Sequence, residues 1–206
     1  MACGVRLRSS EPSAAWLWLS LLAGLGALAA WAADPALLRW QPELALRQPW
    51  RFISAAFVHL SALHLLVNLL GTALVAALGW AAACDRRAAL AWALAWPLTH
   101  AGLLLQPELA QYGGLSGVLH AGVAVAAWQL LRGGAGARRA IGALLACGLL
   151  LKLLLEAPWL GPLRQPPGWD IAIAPLAHSS GAIAGWLCAL ICGVGAPSRD
   201  SLAPRR

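Results

Sequence analysis

Six apolar stretches recur along this chain, each close to the roughly 20 residues that a helix needs to cross a bilayer. They lie near 14–33, 54–79, 88–105, 115–131, 138–156 and 176–195. Short breakers separate them: Asp34-Pro35, Gln41-Pro42 and Gln48-Pro49, then Asp85-Arg86-Arg87, Gln106-Pro107-Glu108, Arg132-Gly133-Gly134, and the stretch from Pro158 to Pro175. Runs of this length satisfy their backbone in lipid as helices, since no water is there to bond free N–H and C=O groups. Composition agrees: 60% of the 206 residues are hydrophobic and 11% are charged, against about 25% charged in an average soluble domain. A soluble fold of this length would leave much of that apolar surface wet. A soluble enzyme, a disordered chain and a secreted disulfide scaffold are therefore excluded. The expectation is an all-α polytopic membrane protein, one domain over 1–206 with six transmembrane helices.

The formal net charge is +7. On a soluble protein that would point to nucleic acid; here the basic residues sit in short runs between apolar segments, so no nucleic-acid partner is implied. Cytoplasmic loops of membrane proteins carry the excess of Lys and Arg. Arg6, Arg8, Arg86, Arg87, Arg132, Arg138, Arg139, Arg199, Arg205 and Arg206 fall on one side of a six-span layout. Arg39, Arg47, Arg51 and Arg164 fall on the other. Both termini are thus expected in the cytoplasm, and the long Trp- and Pro-rich loops 34–53 and 157–175 on the opposite face. Scarce Lys, Asn, Ile and Phe beside abundant Arg, Ala, Leu and Gly point to a GC-rich coding sequence and a bacterial inner membrane. Cys3, Cys84, Cys147, Cys188 and Cys192 have no CxxC spacing and read as packing residues. The first apolar run, after Arg6 and Arg8, exceeds the 7–15 residues typical of a signal peptide and reads as a retained helix.

Polar side chains at membrane depth are expensive, so each is a functional hypothesis. The second segment holds His59, His64 and Asn68, the third His100, the fourth Ser116 and His120, the fifth Lys152 and Glu156, and the sixth His178. His64 and Asn68 are four apart and share a helix face; they could hold an anion or bond neighbouring helices together. Ser116 lies in Gly113-Gly114-Leu115-Ser116-Gly117, where a loop becomes a helix. Glycines there allow a sharp turn and a close approach. The free N–H groups of the helix start would stabilise developing negative charge. A plain N-cap serine is the alternative. Gly117 and Ala121, and Gly181 and Gly185, form two faces of small residues spaced by four, the kind that lets helices approach closely. If those faces meet, Ser116 and His178 arrive together, and a neutral imidazole can take the serine proton and return it to a leaving amine.

These residues resemble the rhomboid family of intramembrane serine proteases over roughly 50–186. Trp50-Arg51 resembles its first-loop motif, and His59 through Asn68 its HxxxxHxxxN element. Gly114-Leu115-Ser116-Gly117 resembles its GxSG nucleophile motif, and Ala177 through Gly185 its AHxxGxxxG final helix. The resemblance implies a rhomboid-like six-helix bundle with a Ser–His dyad. In it Ser116 is the nucleophile, His178 the general base, and His64 and Asn68 the oxyanion-stabilising side chains, helped by the Ser116 backbone N–H. His59 matches a structural histidine, and Gly114 and His120 are supporting positions. Ordinary members often carry an aromatic where His120 stands, packed on the catalytic imidazole. With the compact size, His120 resembles the rhombosortase branch, associated with proteins bearing a C-terminal Gly-Gly sorting signal. The implied partners are single-pass membrane substrates with a small-residue or Gly-Gly juxtamembrane motif, cut near the non-cytoplasmic face; no cofactor is implied.

Glu156 and Asp170 are the carboxylates near His178 in sequence, yet neither is convincingly placed to orient it, and the dyad stands. A metalloprotease would need HExxH, which is absent. A transporter would use polar residues at broken helices in mid-membrane; Lys152 and Glu156 read instead as the end of the fifth span, with Lys152 snorkelling. His100 is expected to make a structural hydrogen bond. The remaining rival is a catalytically silent rhomboid-like protein that binds membrane helices as chaperone or adaptor.

Overall fold

The computed structural model describes residues 13–196. Cys3, Arg6, Arg8, Arg199, Arg205 and Arg206, used above in the charge and cysteine readings, lie outside them. Six long helices carry the fold: α1 (Ala14–Ala30), α2 (Ala62–Ala81), α3 (Arg86–Ala101), α4 (Ser116–Gly133), α5 (Ala137–Glu156) and α6 (Pro175–Ile191). Their starts follow from local chemistry. Ser13, Ser61 and Asp85 accept a hydrogen bond from a first-turn N–H of α1, α2 and α3, which satisfies donors with no intrahelical partner. Pro175 opens α6, where its missing N–H removes nothing and its φ is already helical.

Among the described residues, α2, α3 with its 3-10 extension to Leu105, and α5 continued to Leu160 are long and apolar enough to cross a membrane alone. Helices α1 and α6 are apolar but shorter. Helix α4 is interrupted by Ser116, His120, Gln129 and Arg132, and it is the most enclosed element, with eleven buried residues. Helix α5 buries only Gly142, Leu149 and Leu153 and turns leucines such as Leu144, Leu151 and Leu155 outward.

The expected segment 54–79 is not one helix. Arg51–Ser54 and Ala55–Phe57 form two short turns, Val58 is extended, and α2 begins only after Ser61. His59 therefore precedes the helix instead of lying on it, and its Nδ1 bonds the Phe57 carbonyl at 3.1 Å. The cysteine reading also needs one correction. Cys84 and Cys188 are buried, but Cys147 is exposed on α5, because that helix meets the bundle along only one narrow stripe.

Packing starts from the small residues. On α1, Trp16, Ser20, Ala23 and Ala27 form the buried stripe, and the Trp16 indole lies over Gly79, where any Cβ would collide with the ring. The closest seam joins α4 to α6. A Cβ on Gly181 would run into the Gly117 carbonyl, one on Gly117 would stand 2.7 Å from the Ala177 oxygen, and one on Gly185 2.9 Å from the Ala121 Cα. The two small-residue faces thus meet backbone to backbone.

The loop 34–53 is held by one buried cation. Arg51 donates to Gln48 Oε1 at 2.7 Å and to the Ala36 carbonyl at 3.0 Å, and it also reaches the Arg39 carbonyl. Five donors in a fixed fork suit one guanidinium to gather several acceptors. The loop then pairs with the segment ahead of α4: Trp40 and Tyr112 exchange N–H···O bonds of 2.8 and 3.1 Å. A small core of Trp40, Ala45, Leu103, Leu109 and Tyr112 seals this end of the bundle.

Candidate active site

Ser116 is the first residue of α4, and the capping position before it belongs to Leu115, which makes no side-chain cap. The N-cap alternative is thereby removed: the Ser116 hydroxyl points to another helix and does not cap α4. That hydroxyl donates to His178 Nε2 at 2.9 Å. The residues are 62 apart in sequence; the α4–α6 seam, with no side chain between Gly117 and Gly181, brings them together.

Three further groups fix the imidazole and the serine. The His120 ring stacks on His178, centroids 4.3 Å apart and planes within 10°, while its Nδ1 donates to the Ser116 carbonyl at 2.6 Å. Tyr112 donates to the Gly114 carbonyl at 3.0 Å, and its oxygen lies 3.4 Å from Ser116 Oγ. Burial pushes its phenol above the usual range, so it stays a donor. The third group corrects the sequence reading. Glu156 Oε2 accepts from His178 Nδ1 at 2.6 Å, and Lys152 pairs with the other carboxylate oxygen. Helix α5 ends at Glu156 because Ala157 turns left-handed, φ 47°, which leaves the carboxylate facing α6 at the level of His178. Asp170, the other carboxylate weighed, instead accepts from Ser61 Oγ at 2.9 Å and ties the 157–175 loop to the start of α2.

His64 and Asn68 share the buried face of α2. Gly114 has φ +140°, and a Cβ there would sit 2.8 Å from His64 Nε2. Only glycine takes this conformation readily, and it admits the ring against the loop that carries Ser116. His64 Nδ1 accepts from the Leu60 N–H at 3.4 Å, so Nε2 holds the proton and faces Gly114 as a donor. Asn68 spends one amide hydrogen on the His64 carbonyl at 3.0 Å and keeps a second. His100, given no role in the chemistry, makes its expected structural bond: Nδ1 meets the Phe52 carbonyl at 2.7 Å.

Ser116, His178, His64, Asn68 and His120 all line one cavity of about 1200 Å³. Its walls are otherwise mainly apolar, with Val67 and Leu74 from α2 and Leu144 and Leu151 from α5, and Lys152, Glu156, Arg164 and Gln165 add polar groups. A second cavity of about 230 Å³ reaches the same Ser116 and His178 from below the 160–174 loop, beside Tyr112 and Gly113. Among the described residues, no group of His, Cys, Asp and Glu could hold a metal ion.

The Rhomboid domain family matches residues 46–194, which include every side chain just described. The chain belongs to this family. No curated protein matches it. Rhomboid proteins are serine proteases acting on transmembrane substrates in the lipid bilayer, although some members are inactive. This rhomboid chain is accordingly an integral membrane protein, and α1 lies ahead of the matched region.

Of the groups around the serine and its histidine, Tyr112 went unread in the sequence, and Glu156 was weighed there but set aside. Tyr112 is the chain's single tyrosine, and its position four residues before Ser116 was the available signal. The Glu156 contact had no local signal beyond its presence at a helix end, because it depends on how α5 stands against α6.

Proposed function

We propose that this rhomboid protein is an active intramembrane serine endopeptidase, and that its substrates are single-pass membrane helices cut near the non-cytoplasmic face. The observation that carries the reading is the 2.9 Å bond from the Ser116 hydroxyl to His178 Nε2 at the wall of a mainly apolar cavity. A silent adaptor would have no use for a nucleophile and base at bonding distance.

In the proposed reaction, Ser116 Oγ attacks the scissile carbonyl while His178 Nε2 takes its proton. The charge that develops on the carbonyl oxygen is met by His64 Nε2–H, the spare Asn68 amide hydrogen and the uncapped N–H of Ser116. Donors aimed in advance at that oxygen are usually the largest single contribution to such catalysis. His178 then returns the proton to the leaving amine, and water, admitted from the non-cytoplasmic side, releases the acyl group by the reverse sequence. The substrate helix has to unwind locally to offer a carbonyl. Small or helix-breaking residues lower that cost, glycine being about 1 kcal/mol less favourable than alanine in a helix. A Gly-Gly juxtamembrane motif fits this requirement, and His120 stacked on His178 in place of the more usual aromatic supports the rhombosortase branch. We place six spans in a bacterial inner membrane with both termini cytoplasmic, on the distribution of arginines.

The test is cleavage of a membrane-anchored substrate with a Gly-Gly juxtamembrane site, together with fluorophosphonate labelling. Wild type should cleave and be labelled at Ser116. Ser116→Ala and His178→Ala should each lose at least about 10³-fold in kcat/KM. Cleavage by Ser116→Ala at the wild-type rate would overturn the protease reading. Labelling and cleavage of generic membrane substrates, with Gly-Gly substrates ignored, would overturn only the branch.

A further inference from the structure

We infer that Glu156 is a positioning residue for His178, so that the reacting group is a Ser116–His178–Glu156 triad with Lys152 behind it. The inference rests on the protease reading above and extends it by one residue.

Glu156 stands where a carboxylate is least welcome. It is the last residue of α5, and the negative end of a helix repels an anion; its side chain is 15% exposed. Two contacts offset this. Lys152, one turn earlier, pairs with Oε1, and His178 Nδ1 meets Oε2 at 2.6 Å. An ionised carboxylate only accepts, so the proton must sit on His178 Nδ1. That leaves the Nε2 lone pair for the Ser116 hydroxyl, which is the tautomer a general base needs. When His178 takes the serine proton it becomes a cation with the carboxylate already in place. The proton stays on the imidazole and Glu156 remains ionised throughout, as in serine triads of other folds.

The division of labour around the ring is geometric. His120 stacks on the imidazole face and fixes its plane. Ser116 and Glu156 bond opposite nitrogens and fix rotation within that plane. Ser116, His120 and Glu156 come from α4 and α5, while the ring rides on α6. The alternative role for Glu156 is an ion-pair partner of Lys152 that merely neutralises an ammonium at the helix end.

The experiment uses the full chain in lipid nanodiscs with the membrane-anchored substrate, comparing wild type, Glu156→Gln, Glu156→Asp, Lys152→Met and Ser116→Ala. Positioning predicts that Glu156→Gln lowers kcat by roughly 10²–10⁴-fold with KM within about twofold. Fluorophosphonate labelling of Ser116 should slow in parallel, and Glu156→Asp should recover at least about tenfold of the loss. Lys152→Met keeps the contact to His178, so its loss should be at least about tenfold smaller than that of Glu156→Gln. Activity of Glu156→Gln within about threefold of wild type, with Ser116→Ala inactive, overturns the triad and leaves the protease reading standing. Equal losses in Lys152→Met and Glu156→Gln also overturn it, because a lost ion pair or a lost fold would then explain both. Wild-type cleavage by Ser116→Ala would instead remove the protease reading, and the triad with it.

Discussion

The α4–α6 seam and the α2–α5 flank are built on opposite rules. Along the seam, glycine and alanine bring two backbones into contact, and a single Cβ at Gly181 has nowhere to go. Along the flank, leucines line a cavity of about 1200 Å³, and a Cβ at Gly148 of α5 would meet nothing within 4 Å. Without a hydrophobic drive between helices in lipid, close van der Waals contact is what holds them, so the seam is the rigid half and the flank the accommodating one. The proposed nucleophile and base each come from one side of the seam. The side chains proposed as oxyanion donors, His64 and Asn68, and the wall a substrate would pass come from the flank. The proposed chemistry thus rests on a seam of backbone contacts, and its access on an open flank.

Substitutions should separate the two. The largest effect belongs to the seam: Gly181→Val drives a branched side chain into the Gly117 backbone. It should destabilise by more than about 3 kcal/mol, read as a lower thermal midpoint and loss of all cleavage. Next come the donors of the flank. His64→Ala should lower kcat by about 10²–10³-fold and Asn68→Ala by less. Both should keep the wild-type thermal midpoint within a few degrees, since the groups lost face the cavity. If the comparison holds, filling the flank is milder still. Gly148→Leu should raise KM for a helical substrate several-fold and leave fluorophosphonate labelling unchanged, while stability improves by up to about 1 kcal/mol from helix propensity. Unchanged KM would mean that the substrate enters elsewhere. The smallest effect lies at the join. His120→Phe keeps a ring on His178 and should cost less than about threefold in kcat, the least of all these changes, whereas His120→Ala loses a stacking contact of about 0.5–1.5 kcal/mol, roughly two- to tenfold.

Much of this was legible before any coordinates, and for a physical reason. Helix geometry makes spacings of four meaningful over short range. The His64/Asn68 pair, the Gly117/Ala121 and Gly181/Gly185 faces, and the glycines around Ser116 could all be read as local patterns. The Ser116–His178 bond followed from supposing that two small-residue faces meet, and they do. What failed were inferences needing an end or a direction. The 54–79 segment looked continuous because Val58 and Leu60 keep it apolar around His59, yet the helix begins only after Ser61, whose hydroxyl accepts from the His64 N–H at 3.0 Å. Cys147 looked like a packing residue because helix periodicity does not say which stripe of α5 faces in.

By itself the sequence determined that this chain is helical and lives in a bilayer, because apolar runs of this length allow no other way to satisfy a backbone in lipid. It also determined which few polar residues were worth attention, since charge and hydrogen-bonding capacity are rare against that background. The tertiary structure decided the third contact around the serine, Tyr112, and the third around the histidine, Glu156. Tyr112 stands beside Ser116 on a segment whose backbone pairs with Trp40, 72 residues away. Glu156 reaches His178 only because α5 stops, turns at Ala157 and ends level with the first turn of α6. Contacts of this kind depend on where helices end relative to one another, and no periodicity within a single helix encodes that.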